Sequence, residues 1–317
     1  MIGLLAQFKV FGEPWVFLRV FIPVGLAFGG VFALSGVGLV VLYRATGVLN
    51  VAFGAIGASG ALIAYYLINH TGVPNWLAYA TCVLFGGVVN LADGMVFGRA
   101  FARRDPLVKM MGTLGLALIL LGIMAWRAPI GGAFARFLPL PTTDAHHYTI
   151  LGTGISLTQL IALALGVVLT ATVTVFLRVT KLGTAMRALA NDREITATLG
   201  VPVRRVEASA WFGSGLVCGL AGLFLPDLLT SLDYSALTFL VISSLAAALI
   251  GRLQSLWITL FGGLAVGLAQ SVLSAYGGNT PISSISSYRQ AAPFVLAIAA
   301  LLLISRRRVV TISRASH

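Results

Sequence analysis

The sequence predicts an all-α protein, a polytopic transmembrane helical bundle of about eight or nine spans with one short cytoplasmic helix. Of its 317 residues, 58% are hydrophobic and only 9% are charged, whereas soluble domains carry about 25% charged residues. Most of the surface must therefore face a lipid bilayer. The net charge of +12 does not indicate a nucleic-acid partner, because the basic residues lie between apolar runs and not in one patch.

The predicted spans are nine apolar segments, most of them close to the roughly 20 residues that cross a membrane as a helix. The seventh segment is short, which predicts a tilted, kinked or re-entrant helix. The segments are 19–43, 48–68, 76–97, 107–126, 155–177, 206–225, 237–250, 255–276 and 289–304.

The distribution of positive charge predicts the orientation of these spans. Sixteen of the 21 Lys and Arg residues fall in one set of alternating loops and in the C-terminus, and five fall on the other side. Loops rich in Lys and Arg stay in the cytoplasm. Arg187 and Arg307 are therefore expected inside, and His146 and Asn279 outside. With nine spans the N-terminus is outside.

The loop at 180–205 is polar and has a helical pattern between two spans. Thr184 is the expected N-cap, and Gly200 suits the left-handed residue after a helix end, with Pro202 close behind. One interpretation is a solvated helical connection. The other is a helix that docks in a groove of a cytoplasmic protein, with Leu189 on its apolar face. The apolar positions at helical spacing are Ala185, Met186, Leu189, Ala190, Ile195 and Leu199.

The same loop carries a motif, Gly183-x-Ala185-x-Arg187-Ala188-x-Ala190-x-Asp192 followed by Ala197-x-x-Gly200. It resembles the cytoplasmic signature loop of ABC-importer permeases, and most of all that of the branched-chain amino acid permeases of the LivH type. The resemblance implies that the loop contacts ATPase subunits. The residues that it assigns to this coupling region are Gly183, Arg187, Asp192, Glu194 and Gly200.

Three further stretches are similar to the same family, in the family's order. Residues 43–54 resemble its early Gly-x-x-Asn-x-Ala-x-Gly segment, 109–115 its Thr-Leu-Gly helix start, and 248–256 its late helical pair. The similarity covers nearly all of the chain after about residue 17. We therefore expect residues 1–317 to form a single permease domain, with an N-terminal segment at 1–16 and the coupling loop at 180–205.

Polar groups at membrane depth indicate functional sites. Asn50 precedes a Gly-rich run that begins at Gly54, and Thr113 lies near the start of another span. We expect these three residues to line a substrate pathway, although Asn50 could instead cap a helix near the interface. The family commonly has His or Gln at the position of Phe53, and some members have a polar residue where this chain has Ala55. These departures favour a less polar substrate.

The function that the resemblance implies is that of a permease subunit in the plasma (inner) membrane of a bacterium. The sequence has no G-x-x-x-x-G-K-[ST] phosphate loop, so ATP hydrolysis would come from two separate ATPase subunits. The other implied partners are a second permease, related or identical, and an extracytoplasmic binding protein. No cofactor or metal is expected. Branched-chain or other hydrophobic amino acids, urea, short amides and small aromatic acids all stay open as substrates.

Two other classes of function are weaker interpretations of the same sequence. A secondary transporter would need ion sites within its spans, but Asp, Glu and Lys are scarce there. A membrane enzyme would need a catalytic constellation, and the sequence contains neither HExxH nor GxSxG.

Overall fold

The computed structural model describes residues 14–100, 105–127, 140, 147–150, 153–229, 232, 234–275 and 291–302. The helices before the longest loop are α1 (Pro14–Thr46), α2 (Phe53–His70), α3 (Asn75–Ala100) and α4 (Pro106–Arg127). Strands β1 (His147–Ile150) and β2 (Thr153–Ser156) then form an antiparallel hairpin that pairs His147 with Ser156. The later helices are α5 (Leu157–Val179), α6 (Lys181–Asn191), α7 (Arg193–Thr198), α8 (Val203–Leu228), α9 (Tyr234–Thr238), α10 (Leu240–Ile250), α11 (Leu256–Ala275) and α12 (Ala292–Leu302).

The all-α membrane fold is confirmed. Each of the nine predicted apolar segments coincides with a described helix, and six described helices are long and apolar enough to cross a membrane. The seventh segment is short and broken, as expected, because α9 ends at Thr238 and α10 begins at Leu240. Residues 1–13 of the predicted N-terminal segment, and the positions His146, Asn279 and Arg307, lie outside the described residues; residues 14–16 belong to α1.

The bundle is organised around α1 and α8. About 78% of the apolar window of α1 is buried, against 17% for α4. Large side chains on α4, such as Leu107, Met111 and Trp126, are therefore exposed, as expected of a helix that faces lipid. At 33 residues, α1 is about 50 Å long, which exceeds the hydrocarbon thickness of about 30 Å.

Small residues allow these helices to approach closely. Gly29 on α1 faces Gly263 and Gly267 on α11, and a Cβ atom on Gly29 would lie 2.7 Å from the Cα of Leu264. Gly30 on α1 and Gly166 on α5 face each other in the same way. Such contacts hold membrane helices together, since lipid provides no hydrophobic drive for helix association.

Two apolar clusters mark the two halves of the bundle. The smaller one joins the C-terminal parts of α1 and α5, the N-terminal part of α8 and the inner face of α6; it includes Val40, Leu177, Met186 and Val206. We call this the α6 end of the bundle. The N-terminal half of α1, the C-terminus of α8 and the start of α10 lie toward the opposite end, within the larger cluster.

Candidate functional site

The coupling loop begins where α5 ends, with one extended residue between α5 and α6. The Thr180 hydroxyl donates to the Phe176 carbonyl at 2.8 Å and accepts from the Gly183 N–H at 2.9 Å. Thr180 is therefore the N-cap of α6, and the prediction that Thr184 is the N-cap was wrong. Gly183 is required at this reversal, because a Cβ atom there would overlap the backbone of Phe176 and Leu177.

The loop contains two helices, where the sequence pattern predicted one. Asp192 is extended (φ −153°, ψ 114°), ends α6, and caps α7 by accepting from the Ile195 N–H at 2.9 Å. The single helix was a wrong prediction because the periodic apolar positions continue across Asp192, whereas Asp favours a cap by bonding the local backbone. Gly200 has φ +81°, which confirms its predicted left-handed conformation after the helix end.

The inner face of α6 packs within this chain. Met186 and Leu189 are buried against α1, α5 and α8, and Leu189 is only 6% exposed. Leu189 therefore cannot be the docking residue that its spacing indicated. Arg187 lies on the other face, where it is exposed and donates to the Thr184 hydroxyl at 3.4 Å.

The surface that protrudes from the loop is formed by α7 and the residue after it. Ile195 is 60% exposed and Leu199 is 76% exposed. Glu194 is exposed in the first turn of α7, and Arg193 forms an ion pair with Glu207 of α8. We call Glu194, Ile195 and Leu199 the α7 tip, an apolar patch beside charges of both signs.

A groove of about 560 Å³ separates α6 from the turn between α10 and α11. Arg44, at the end of α1, donates to the Gln254 carbonyl in that turn at 3.2 Å. Arg252 and Leu253 both have positive φ, at 56° and 54°, which is uncommon for residues with side chains. This strained turn lies beside the coupling loop, a proximity that the sequence pattern did not reveal.

Two of the predicted pathway residues, Asn50 and Thr113, belong to one hydrogen-bonded cluster at the α6 end. Asn50 is 1% exposed; its amide donates to Asn90 on α3 at 2.6 Å, and its oxygen accepts from the Ala52 N–H at 2.8 Å. Asn90 in turn donates to the carbonyl of Trp211 on α8 at 2.6 Å. The Thr113 hydroxyl accepts from the Val51 N–H at 3.0 Å. The cluster fixes the non-helical segment between α1 and α2.

Gly54, the third predicted pathway residue, contacts a different break in the helices. A Cβ atom there would overlap the Thr238 carbonyl oxygen, so only glycine allows α2 to pack against the end of α9. Phe53 and Ala55, whose departure from the family pattern favoured a less polar substrate, are both fully buried in the larger apolar cluster.

A cavity of about 420 Å³ lies toward the opposite end of the bundle, between α1, α8, α10, α11 and α12. Its apolar walls include five phenylalanines, Phe21, Phe28, Phe32, Phe239 and Phe294. Its polar side chains include Ser243 and Gln270, and Gln270 Nε2 donates to Ser243 Oγ at 3.1 Å. Sequence reasoning missed this site. The signal available was Gln270 itself, a polar side chain inside an apolar segment.

Residues 22–305 match the family described as branched-chain amino acid transport system permease component.

Curated relatives give the same result at low identity. The chain is 25% identical over 285 residues to the probable branched-chain amino acid transport permease protein LivH of Methanocaldococcus jannaschii, covering 88% of each chain. It is 22% identical to the high-affinity branched-chain amino acid transport system permease protein LivH of Escherichia coli K12, covering 88% of this chain and 91% of the relative. For BraD of Pseudomonas aeruginosa the identity is 24%, with coverage of 78% and 83%.

Among solved structures, the chain is similar to one of PsaBC from Streptococcus pneumoniae in complex with Fab. The TM-score is 0.48 at 14% identity, and the match covers 95% of each chain.

Proposed function

The chain belongs to the branched-chain amino acid transport system permease family, and we propose that it forms half of the membrane channel of an ATP-driven importer. It is a multi-pass membrane protein. Its proposed partners are two cytoplasmic ATPase subunits, a second permease, related or identical, and an extracytoplasmic binding protein. Its proposed location is the bacterial plasma membrane, with the α6 end in the cytoplasm because the basic loops lie there.

The observation that carries this proposal is the α7 tip. Ile195 and Leu199 are exposed on a short polar loop that lies outside the spans, and an exposed apolar patch rimmed by polar groups marks an interaction site. In the proposed complex, the ATPases bury this patch. Arg187, Asp192 and Glu194 provide charge at its rim, while Gly183 and Gly200 fix where the loop helices begin and end.

The proposed coupling depends on how firmly the loop is joined to the spans. Gly183 packs directly on α5, and Met186 and Leu189 are buried against the spans. Because packed interiors resist compression and transmit strain, we expect a push on α7 to move α6 together with the ends of α1, α5 and α8.

A second connection runs along α10. This helix of 11 residues is about 16 Å long. The turn after it is bonded to Arg44 near the coupling loop, and the residue before it, Phe239, lines the cavity. In the proposed mechanism, ATP binding moves the α6 end, and α10 carries that movement to the cavity.

The proposed cargo is a hydrophobic amino acid or a similar small solute delivered by the binding protein, because the named relatives transport branched-chain amino acids. Asn50, Gly54 and Thr113 stay a prediction as pathway residues. This prediction is supported by where the three residues lie. Asn50 and Thr113 bond the non-helical segment between α1 and α2, and Gly54 packs beside the break between α9 and α10. Interrupted backbone is tolerated at membrane depth where protein or a water-filled cavity surrounds it.

The test is reconstitution of the chain with its ATPase subunits, the second permease and the binding protein in proteoliposomes. Uptake of labelled leucine should require ATP inside, where the ATPases are, and should stop with an ATPase variant that binds but does not hydrolyse ATP. Uptake by the permease alone, driven by an ion gradient without ATP, would contradict the importer proposal and favour a secondary transporter.

A further inference from the structure

The cavity toward the end of the bundle opposite α6 has the composition of a site for an amphipathic solute. Its volume of about 420 Å³ lies within the range of small-molecule sites, about 300–1,000 Å³. None of the described residues that line it is charged. Its walls are mostly phenylalanine and aliphatic side chains, which favour a ligand with an apolar part that leaves water on binding.

The polar groups of the cavity offer two donors and one acceptor side by side. Ser243 is 6% exposed, and its oxygen accepts from Gln270 Nε2. Among the described residues, the Ser243 hydroxyl hydrogen, the second Nε2 hydrogen of Gln270 and Gln270 Oε1 have no further partner. The neighbouring hydroxyls differ, because Ser271 donates to the Phe21 carbonyl and Ser274 to the Gln270 carbonyl, each at 2.8 Å.

The break between α9 and α10 lies at the same place. Phe239, the single residue between the two helices, lines the cavity, while Gly54 packs on the Thr238 carbonyl just before the break. Backbone interrupted at membrane depth is found where it is buried in protein or lines a water-filled cavity. The broken helix thus places this cavity next to Gly54, a residue that the sequence already associated with the pathway.

We propose that this cavity binds the transported solute, and that the solute is a small molecule with an apolar side chain and a polar end that both accepts and donates hydrogen bonds. An amino acid such as leucine fits this description. Its carboxylate accepts from the Ser243 hydroxyl, its ammonium donates to Gln270 Oε1, and its side chain lies among the phenylalanines. This inference rests on the proposed importer function.

The other candidate solutes fit the cavity less well. Urea matches the polar pair but has no apolar part for the walls. Benzoate fills the walls and accepts from Ser243, but it leaves Gln270 Oε1 unpaired, and an unpaired buried polar group opposes binding.

The experiment measures uptake of labelled leucine, alanine, benzoate and urea by the reconstituted complex, with variants of the polar pair. Ser243→Ala and Gln270→Leu should each raise KM for leucine by roughly 3- to 10-fold, as expected for the loss of one hydrogen bond. Ser244→Ala is the matched control, because the Ser244 hydroxyl donates to Leu240 of its own helix and does not line the cavity. Its KM should stay within about 2-fold of the wild-type value.

A second variant keeps the test independent of the polar pair. Ala236→Phe adds a ring to the cavity wall, so uptake of leucine should fall more than uptake of alanine. A purely structural defect would lower both together. Phe261→Ala on the exposed face of α11 is the control, and it should leave the leucine-to-alanine ratio unchanged.

The outcomes separate this inference from the importer proposal. If ATP-driven leucine uptake persists with unchanged KM in both polar variants and an unchanged solute ratio in Ala236→Phe, the cavity is not the cargo site although the importer function holds. Preferred uptake of urea or benzoate would overturn the solute class. If the ATPases do not associate with the wild-type chain, the importer proposal itself fails.

Discussion

The substitution Leu199→Asp tests whether the α7 tip is the surface that the ATPases cover. Leu199 is 76% exposed, so most of its side-chain area remains to be buried by a partner. Full burial of a leucine is worth about 1.5–3 kcal/mol, which leaves roughly 1–2 kcal/mol to be gained on docking. An aspartate loses that gain and adds the penalty of burying an unpaired charge, at least about 2 kcal/mol. The sum is about 3–4 kcal/mol, or a weakening of 100-fold or more.

The matched variant is Leu189→Asp, the same change ten residues earlier. Leu189 is 6% exposed and packs in the cluster at the α6 end, so its charge would be buried within the permease itself. That variant should lose folded protein before any ATPase is added, since removing a buried leucine alone destabilises by about 2–5 kcal/mol. Leu199→Asp should keep wild-type thermal stability.

The assay is size-exclusion chromatography of the detergent-solubilised permease, followed by titration with purified ATPase subunits. A stable Leu199→Asp permease that binds the ATPases with wild-type affinity would refute the docking surface. An equally stable Leu189→Asp permease would refute the assignment of Leu189 to the interior, and would return the apolar face of α6 to consideration as the docking face.

Three further outcomes are expected. Gly183→Ala should lower thermal stability and weaken ATP-driven uptake, because the added Cβ overlaps the backbone of α5. Gly213→Ala is the control and should be neutral, since a Cβ atom there has nothing within 4 Å. Equal melting temperatures for the two variants would contradict this. Asn50→Leu leaves Asn90 Oδ1 unpaired, so it should destabilise the folded protein by about 1–3 kcal/mol in thermal unfolding and reduce uptake. Normal stability of this variant would show that Asn50 does not hold the segment between α1 and α2. Arg187→Cys should react with a membrane-impermeant maleimide only in opened cells, since both native cysteines are buried; labelling in intact cells would reverse the orientation.

The spans were predictable because lipid imposes one strong constraint on sequence. A helix that crosses the hydrocarbon needs a long apolar run, and each run in this sequence became a helix. The irregularity of the seventh segment was also predictable, since residues 237–250 are too few for a full span, but the position of the break at Phe239 was not. The close contacts of Gly29 with Gly263 and Gly267 were not predictable, because the sequence does not show which helices pack together.

The errors fall in the coupling loop, where local and tertiary effects compete. Helical spacing placed Leu189 and Leu199 on one continuous apolar face. Asp192, however, ends α6 and caps the start of a separate helix, α7. The two leucines then have opposite surroundings, one inside the bundle and one in solvent. Periodicity indicates that a face exists, but only packing decides whether the same chain or a partner covers it.

The cavity was beyond sequence reasoning for a related reason. Ser243 and Gln270 are 27 residues apart and lie on different helices, and their phenylalanine neighbours come from α1 and α12 as well. No local spacing encodes such a set.

Yet the physical argument for the site is the one that singled out Asn50: a polar group at membrane depth needs a partner. Asn50 finds its partners within the protein at Asn90 and Ala52. Among the described residues, the Ser243–Gln270 pair satisfies only one donor and one acceptor of its own, so it keeps the remaining capacity for a solute. Two polar sites that look alike in sequence thus have different roles. Asn50 stabilises the structure at the α6 end, and the Ser243–Gln270 pair forms the proposed binding site toward the opposite end.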